Sequence, residues 1–147
     1  MIIKKFKRFA NPVVFCDIIY NNFRHLPSKQ HNIGEIRRLL MDQHFIGFGL
    51  YDGELIVGYI VGEFKMLGDG RHCLYISYLF IGKMFRKRGL STLLLNEMVK
   101  YCRGNECKFI VLSCGDELVG YYKKYGFMID KFVEDKYDGQ QIMVMNT

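Results

Sequence analysis

The segment Arg86-Lys87-Arg88-Gly89-Leu90-Ser91 carries the strongest chemical signal in the chain. Three basic side chains precede a glycine, an apolar residue and a small hydroxyl residue, between an aromatic, β-branched run and an amphipathic one. The first turn of a helix leaves backbone N–H groups unpaired and carries partial positive charge. A glycine at that point takes backbone angles closed to other residues and lets a ligand approach closely. Together these parts suit the holding of a pyrophosphate. The spacing is neither GxxxxGK[ST] nor GxGxxG, which excludes two common nucleotide loops. On pattern alone the segment equally fits a solvated basic loop with a glycine turn.

A second chemically suggestive run is Tyr121-Tyr122-Lys123-Lys124-Tyr125-Gly126-Phe127. Taken alone, Tyr122 reads as a core aromatic on a helix, and Lys123 and Lys124 as a solvated helix end that favours the C-terminal dipole.

These residues need elements to position them. Residues 2–9 predict a strand, and Pro12 opens a helix reaching about Arg24. Asn32 is a natural N-cap for a helix with Ile33, Ile36, Leu39 and Leu40 at helical spacing. Phe45 to Tyr51 and Glu54 to Lys65 predict two strands joined at Asp52-Gly53, a hairpin-turn signal. Gly58 and Gly62 are weak points in the second of them. After a turn at Gly68-Asp69-Gly70, Leu74 to Ile81 reads as a strand buried on both faces. Gly82 to Arg88 is a basic loop, and Leu90 to Arg103 an amphipathic helix. Phe109 to Ser113 is a buried strand. Asp116 is read as the cap of a helix from Glu117 to about Tyr125, with Gly126 at its end. Strands near Phe127–Phe132 and Gln141–Met145 complete the order β-α-α-β-β-β-α-β-α-β-β.

The chain has 147 residues, 50% of them hydrophobic, with 21 basic against 15 acidic residues and a net charge of +6. That length and apolar content predict one domain with one core and exclude a disordered chain. No apolar run approaches the ~20 residues of a membrane-spanning helix, and the N-terminus lacks a secretory h-region. Cys16, Cys73, Cys102, Cys107 and Cys114 show no metal-ligand spacing, so the expectation is free thiols, no metal and a reducing, cytoplasmic location. The positive charge predicts an anionic partner.

Two segments together resemble the Gcn5-related N-acetyltransferase (GNAT) superfamily. Arg86 to Ser91 is similar to its [QR]-x-x-G-x-[GA] motif and follows a strand ending in Leu79-Phe80-Ile81. Tyr121 to Phe127 is similar to its [FY]-Y-x-K-x-G-F segment. The match is specific from Leu74 to Phe127 and topological outside it. Ser91 departs from the usual Gly or Ala. Gly115-Asp116 stands where the family often places an Asn, which removes one expected side-chain contact to the cofactor.

The resemblance implies a mixed, three-layer α/β acyl-CoA N-acyltransferase fold over a single domain, residues 1–147. Its central sheet would be mostly antiparallel, with strands 4 and 5 splayed. It implies acetyl-CoA as co-substrate and an amine as acceptor. The backbone of Leu79, Phe80 and Ile81 would pair with the pantetheine arm, and one N–H there would polarise the thioester carbonyl. In the loop of Arg86, Lys87, Arg88, Gly89, Leu90 and Ser91, backbone N–H groups from Arg88 onward would hold the pyrophosphate. Tyr122 would protonate the departing thiolate.

Direct transfer also needs a group that accepts the amine's proton. Ser77 and Tyr78 stand where many relatives carry Glu. Tyr75 is one candidate, because a similar Tyr-Ile strand occurs in protein N-terminal acetyltransferases, where that tyrosine is implicated as a base. Glu63 is a second and His72 a third, and a water chain could serve. Their structural readings are a core aromatic, an outward-facing strand residue and a loop residue. The run Leu112-Ser113-Cys114, Val119 and Tyr122-Lys123-Lys124 partly resembles glucosamine-phosphate N-acetyltransferases, which carry an acidic pair where Ser77 and Tyr78 stand. Lys136-Tyr137-Asp138-Gly139 is read as a hairpin beside the acceptor slot. The acceptor stays open between a peptide or protein amine and a small amine such as an amino sugar. Two other classes remain: a coenzyme-A-binding module without catalysis, and a basic nucleic-acid binder, disfavoured because the cations cluster at one loop. No membrane partner is expected, and a homodimer is left open.

Overall fold

In the computed structural model, residues 1–6, 12–23, 32–42, 44–130 and 140–147 are described. Their elements run β1 (Ile2–Lys5), α1 (Pro12–Phe23), α2 (Ile33–Met41), β2 (Phe45–Asp52), β3 (Leu55–Met66), β4 (His72–Ile81), α3 (Leu90–Gly104), β5 (Phe109–Gly115), α4 (Asp116–Tyr125), β6 (Met128–Ile129) and β7 (Gln140–Asn146). Asn32 caps α2 as expected, its side chain accepting from the Glu35 amide at 2.9 Å. Gly126 ends α4 with φ 128°, a conformation that costs glycine little. Asp116 differs from expectation. It is the first residue of α4 rather than its cap, and its carboxylate accepts from Gln141 at 3.3 Å. The expected hairpin at 136–139 lies outside the described residues, as do the ends of the first and penultimate predicted strands.

The strands form one mixed sheet in the order β1-β2-β3-β4-β5-β7-β6. Every pairing is antiparallel except β4 with β5. One face carries α3 and α4 over a core that includes Leu74, Ile76, Leu94, Leu95, Met98, Ile110, Leu112 and Phe127. The other face carries α1 and α2, whose Cys16, Ile19, Ile36, Leu39 and Leu40 pack on Tyr59, Val61 and Tyr78. The result is the three-layer α/β arrangement, with β4 and β5 at its centre.

A bulge interrupts β4. Val61 pairs with Tyr78 and Gly62 with Ile76, so Ser77 has no partner across on β3. Gly62 makes this possible, because a Cβ there would fall 2.3 Å from the Tyr75 carbonyl oxygen. A glycine inside a strand marks such close approach. The weak point read from sequence is therefore a geometric requirement of the bulge. Gly120, by contrast, is an exposed glycine inside α4 with nothing within 4 Å of a Cβ.

These two glycines should respond oppositely to alanine. Gly62→Ala should lower unfolding free energy by about 1–3 kcal/mol through overpacking. Gly120→Ala should raise it by roughly 0.5–1 kcal/mol by restricting the unfolded chain. Denaturant titration of the two variants checks both signs.

Candidate functional site

The site begins where the sheet comes apart. β4 pairs with β5 only at Leu74–Ile110, Tyr75–Val111 and Ile76–Leu112. β3 follows β4 as far as Ile81, and β7 follows β5 as far as Gly115. Each central strand therefore keeps its outer neighbour and loses its inner one beyond Ile76 and Leu112. A bulge bends its strand and increases local twist, and the one at Ser77 sits at the point of separation. The predicted splay of strands 4 and 5 is present, and the edge of β4 from Ser77 through Leu79, Phe80 and Ile81 faces the gap.

Above the end of β4 lies the basic loop. A 3-10 turn over Lys83–Phe85 leads to Arg86, Lys87 and Arg88, all exposed. Arg86 is partly occupied: its Nε donates to the Ile81 carbonyl at 2.8 Å, and its guanidinium lies 5.6 Å from the Phe80 ring centroid. It braces the loop onto the strand. Lys87 and Gly89 both take positive φ, 63° and 73°. Alternating backbone of this kind turns successive N–H groups toward one concave side. Gly89 is the N-cap of α3, with no side-chain capping bond and no acidic residue in the helix's first turn. A Cβ at Gly89 would meet nothing within 4 Å. The unpaired amides of Leu90 and Ser91 thus open onto free space, and a phosphate group fits there on charge, donors and room.

Across the groove stands α4. Tyr122 is 8% exposed and packs with its ring centroid 5.7 Å from Phe127 and 5.0 Å from Tyr121. Among the described residues its hydroxyl makes no hydrogen bond. Burial, and secondarily the neighbouring Tyr121, push its phenol well above the usual value, so it remains a proton donor across the physiological range.

The base candidates separate on the other face of the sheet. Tyr75 is 8% exposed, and its hydroxyl shares a 3.0 Å hydrogen bond with Ser113, at the mouth of the splay. The Lys65 ammonium lies 4.0 Å from the centroid of the Tyr75 ring. Glu63 is not an outward-facing residue: it is buried, and Arg38 of α2 holds both its oxygens at 3.3 and 3.0 Å. This bond, first among several causes, raises the Arg38 guanidinium further. His72 is the exposed first residue of β4, not a loop residue, and pairs with Met66 away from the splay. Of the cysteines, Cys107 is only half-buried and the other four are buried, all as free thiols.

Sequence reasoning missed four of these residues. Ser113, Lys65, Arg38 and Tyr121 meet their partners only through long-range pairing, across 38, 10, 25 and 30 positions respectively. Gly62 was the one available local signal for the bulge.

A model of the Acetyltransferase (GNAT) family matches residues 16–127. The chain belongs to the GNAT acetyltransferase family. Its sequence is 31% identical over 64 residues to human cysteine-rich protein 2-binding protein, covering 44% of this chain and 8% of that protein. It is 37% identical over 71 residues to glucosamine 6-phosphate N-acetyltransferase 1 of Oryza sativa subsp. japonica, covering 48% of this chain and 43% of that one. The chain therefore spans less than half the length of these curated relatives. In fold it is similar to the crystal structure of Tetrahymena GCN5, with a TM-score of 0.73, 17% identity, and 99% of this chain and 96% of that one covered. Among the described residues of this GNAT chain, no cluster of three or more His, Cys, Asp or Glu could hold a metal, and no helix is long and apolar enough to cross a membrane.

Gly89→Val places a β-branched residue at a positive φ of 73° and should force the loop out of shape. Acetyl-CoA should raise the wild-type melting temperature by linkage. The variant should remain folded and lose that rise, which differential scanning fluorimetry with and without acetyl-CoA measures.

Proposed function

We propose that this chain is an acetyl-CoA-dependent N-acetyltransferase that passes the acetyl group directly to a primary amine. The observation that carries this reading is Tyr122 on α4: its ring is buried and its hydroxyl has no hydrogen-bond partner among the described residues, in a fold whose β4 is unpaired from β5 beyond Ile76. A hydroxyl with no protein partner is free to donate to a ligand. The freed edge of Leu79 to Ile81 suits an extended amide chain such as pantetheine, added as a strand would be. A backbone N–H there is suited to stabilising the oxyanion of the tetrahedral intermediate. Arg88 to Ser91 hold the phosphates, with Lys87 adding charge and Arg86 bracing the loop.

The acyl carbon bonds to the amine nitrogen as the carbon–sulfur bond breaks. Tyr122 gives its proton to the departing sulfur. Tyr75, positioned by Ser113, serves as the base in its phenolate form: it takes the proton the amine sheds and becomes a phenol, and exchange with solvent returns that proton and re-protonates Tyr122. Glu63 is left out of this scheme because Arg38 already engages both its oxygens, and His72 because it lies at the far end of β4. The acceptor is either a peptide or protein amine, or a small amine such as an amino sugar. The partial relation to a glucosamine 6-phosphate N-acetyltransferase supports the second. A screen of both amine classes for thiol release from acetyl-CoA decides between them. Binding of acetyl-CoA with no turnover on any amine would instead mark a non-catalytic coenzyme-A-binding module.

Tyr122→Phe should lower kcat by about 10²-fold, the low end for general acid catalysis because thiolate leaves readily. Acetyl-CoA affinity should stay near that of the wild type. Because burial raises the Tyr122 phenol, its proton is retained as pH climbs from 7 toward the ordinary phenol value of about 10. Loss of activity in that window should therefore not come from Tyr122. Steady-state kinetics against pH, run on wild type and variant, test both statements; unchanged kcat in Tyr122→Phe would remove the residue from the mechanism.

A further inference from the structure

Two hydroxyls meet across the mouth of the cofactor groove. Ser91, in the first turn of α3, and Tyr121, on α4, share a hydrogen bond of 2.5 Å. Four residues along α4, the Tyr125 hydroxyl donates to Asn96 of α3 at 2.6 Å, so the two helices are tied twice along one line. Neither member of the first pair is demanded by its element. Alanine is a better helix former than serine. Phenylalanine would keep the ring contact between residues 121 and 122.

Hydroxyl protons can be counted. Ser91 and Tyr121 bring one each, and their mutual bond uses one. The second must point at another acceptor. Among the described residues neither side chain makes a further hydrogen bond, and Tyr121 is 37% exposed, so that proton is directed outward. What lies beside it is the uncapped start of α3, with positive φ at Lys87 and Gly89 and open space at Gly89. A separate observation marks the same groove as a ligand's place: Tyr122, only 8% exposed and unpartnered among the described residues, sits 5.0 Å, ring to ring, from Tyr121.

We propose that Tyr121 and Ser91 are cofactor-binding residues that act as one unit, donating their spare proton to a pyrophosphate oxygen held at the first turn of α3. The proposal rests on the acetyl-CoA reading above. It gives α4 two adjacent duties: Tyr121 fixes the phosphates, and Tyr122 meets the sulfur at the other end of the pantetheine arm.

Isothermal titration of coenzyme A, and of ADP as a probe that keeps the pyrophosphate and lacks pantetheine, tests it on the full chain. A hydroxyl donating to an ionised oxygen makes a charge-assisted bond, so Tyr121→Phe and Ser91→Ala should each weaken coenzyme A binding by about 10-fold. ADP should weaken in the same proportion. The double variant should lose far less than the product of the single losses, because one relay is broken in each. In saturating acetyl-CoA, kcat of either single variant should stay near wild type while KM for acetyl-CoA rises. Wild-type affinity in both single variants, fully multiplying losses, or ADP binding that ignores the substitutions would each overturn the proposal. Ser91→Ala replaces one helix former by a better one, so the test survives a misfolded Tyr121→Phe. A wild-type protein that binds no coenzyme A would sink the acetyltransferase reading itself, whereas wild-type binding with indifferent variants sinks only this inference.

Discussion

The separation of β4 from β5 is the constraint on which the rest of this structure depends. Parallel pairing lasts for three residue pairs, ending at Ile76 and Leu112, and then stops in the middle of a sheet. An interior strand edge with unpaired backbone groups is unfavourable unless something completes it. Here the outer ladders hold both strands in place, β3 along β4 and β7 along β5, so the gap cannot close by sliding. The bulge at Ser77 gives β4 its bend, and Gly62 gives the bulge its room. The helices α3 and α4 follow β4 and β5 in sequence and pack on the same face, so their N-terminal and central turns border the gap.

Charge is distributed among the helix starts to match. α2 begins with an Asn32 cap and Glu35 in its first turn, and α4 begins with Asp116 and Glu117. Those acidic groups answer the positive end of each helix dipole. α3 alone of these three starts with a glycine cap and no acid, so its partial charge and amides are unanswered by the chain. The exposed Lys87 and Arg88 add to the same field. Part of the net charge of +6 is thus gathered beside one uncapped helix start.

Most of this frame was legible in the sequence, because its signals are local. Period, caps and turn glycines placed the four α-helices among the described residues, and the central strands, within a few residues. The glycine-led start of α3 was legible because Gly89 and its flanking cations are contiguous. What stayed hidden depends on register. Ser113 becomes a partner of Tyr75 only once β4 and β5 align in parallel, and Glu63 becomes an ion-paired residue only once α2 packs beneath β3. Asp116 was misread because its carboxylate is drawn to Gln141 of β7, a contact no local pattern contains. Tyr121 carried no signal of its own, since nothing near it in sequence shows that Ser91 stands 2.5 Å away.

In the proposed reaction, the two faces of the sheet keep the acid, Tyr122, apart from the base, Tyr75. Tyr122 belongs to the core beneath α3 and α4. Tyr75 faces the opposite layer: its cross-strand neighbour Glu63 reaches Arg38 of α2, and Tyr75 itself packs with Val111 and Ile142. A donor and an acceptor of protons in direct contact would neutralise one another's purpose by bonding together. Here the sheet stands between them, and in the proposed reaction both would address one reacting centre through the gap beyond Ile76. A thioester laid along the freed edge of β4 would present its sulfur toward α4 and its carbonyl carbon toward the other face. An amine arriving from the Tyr75 side would then attack opposite the leaving group's proton source. On that proposal, the interruption in pairing that frees an edge of β4 would also separate the two proton transfers in space.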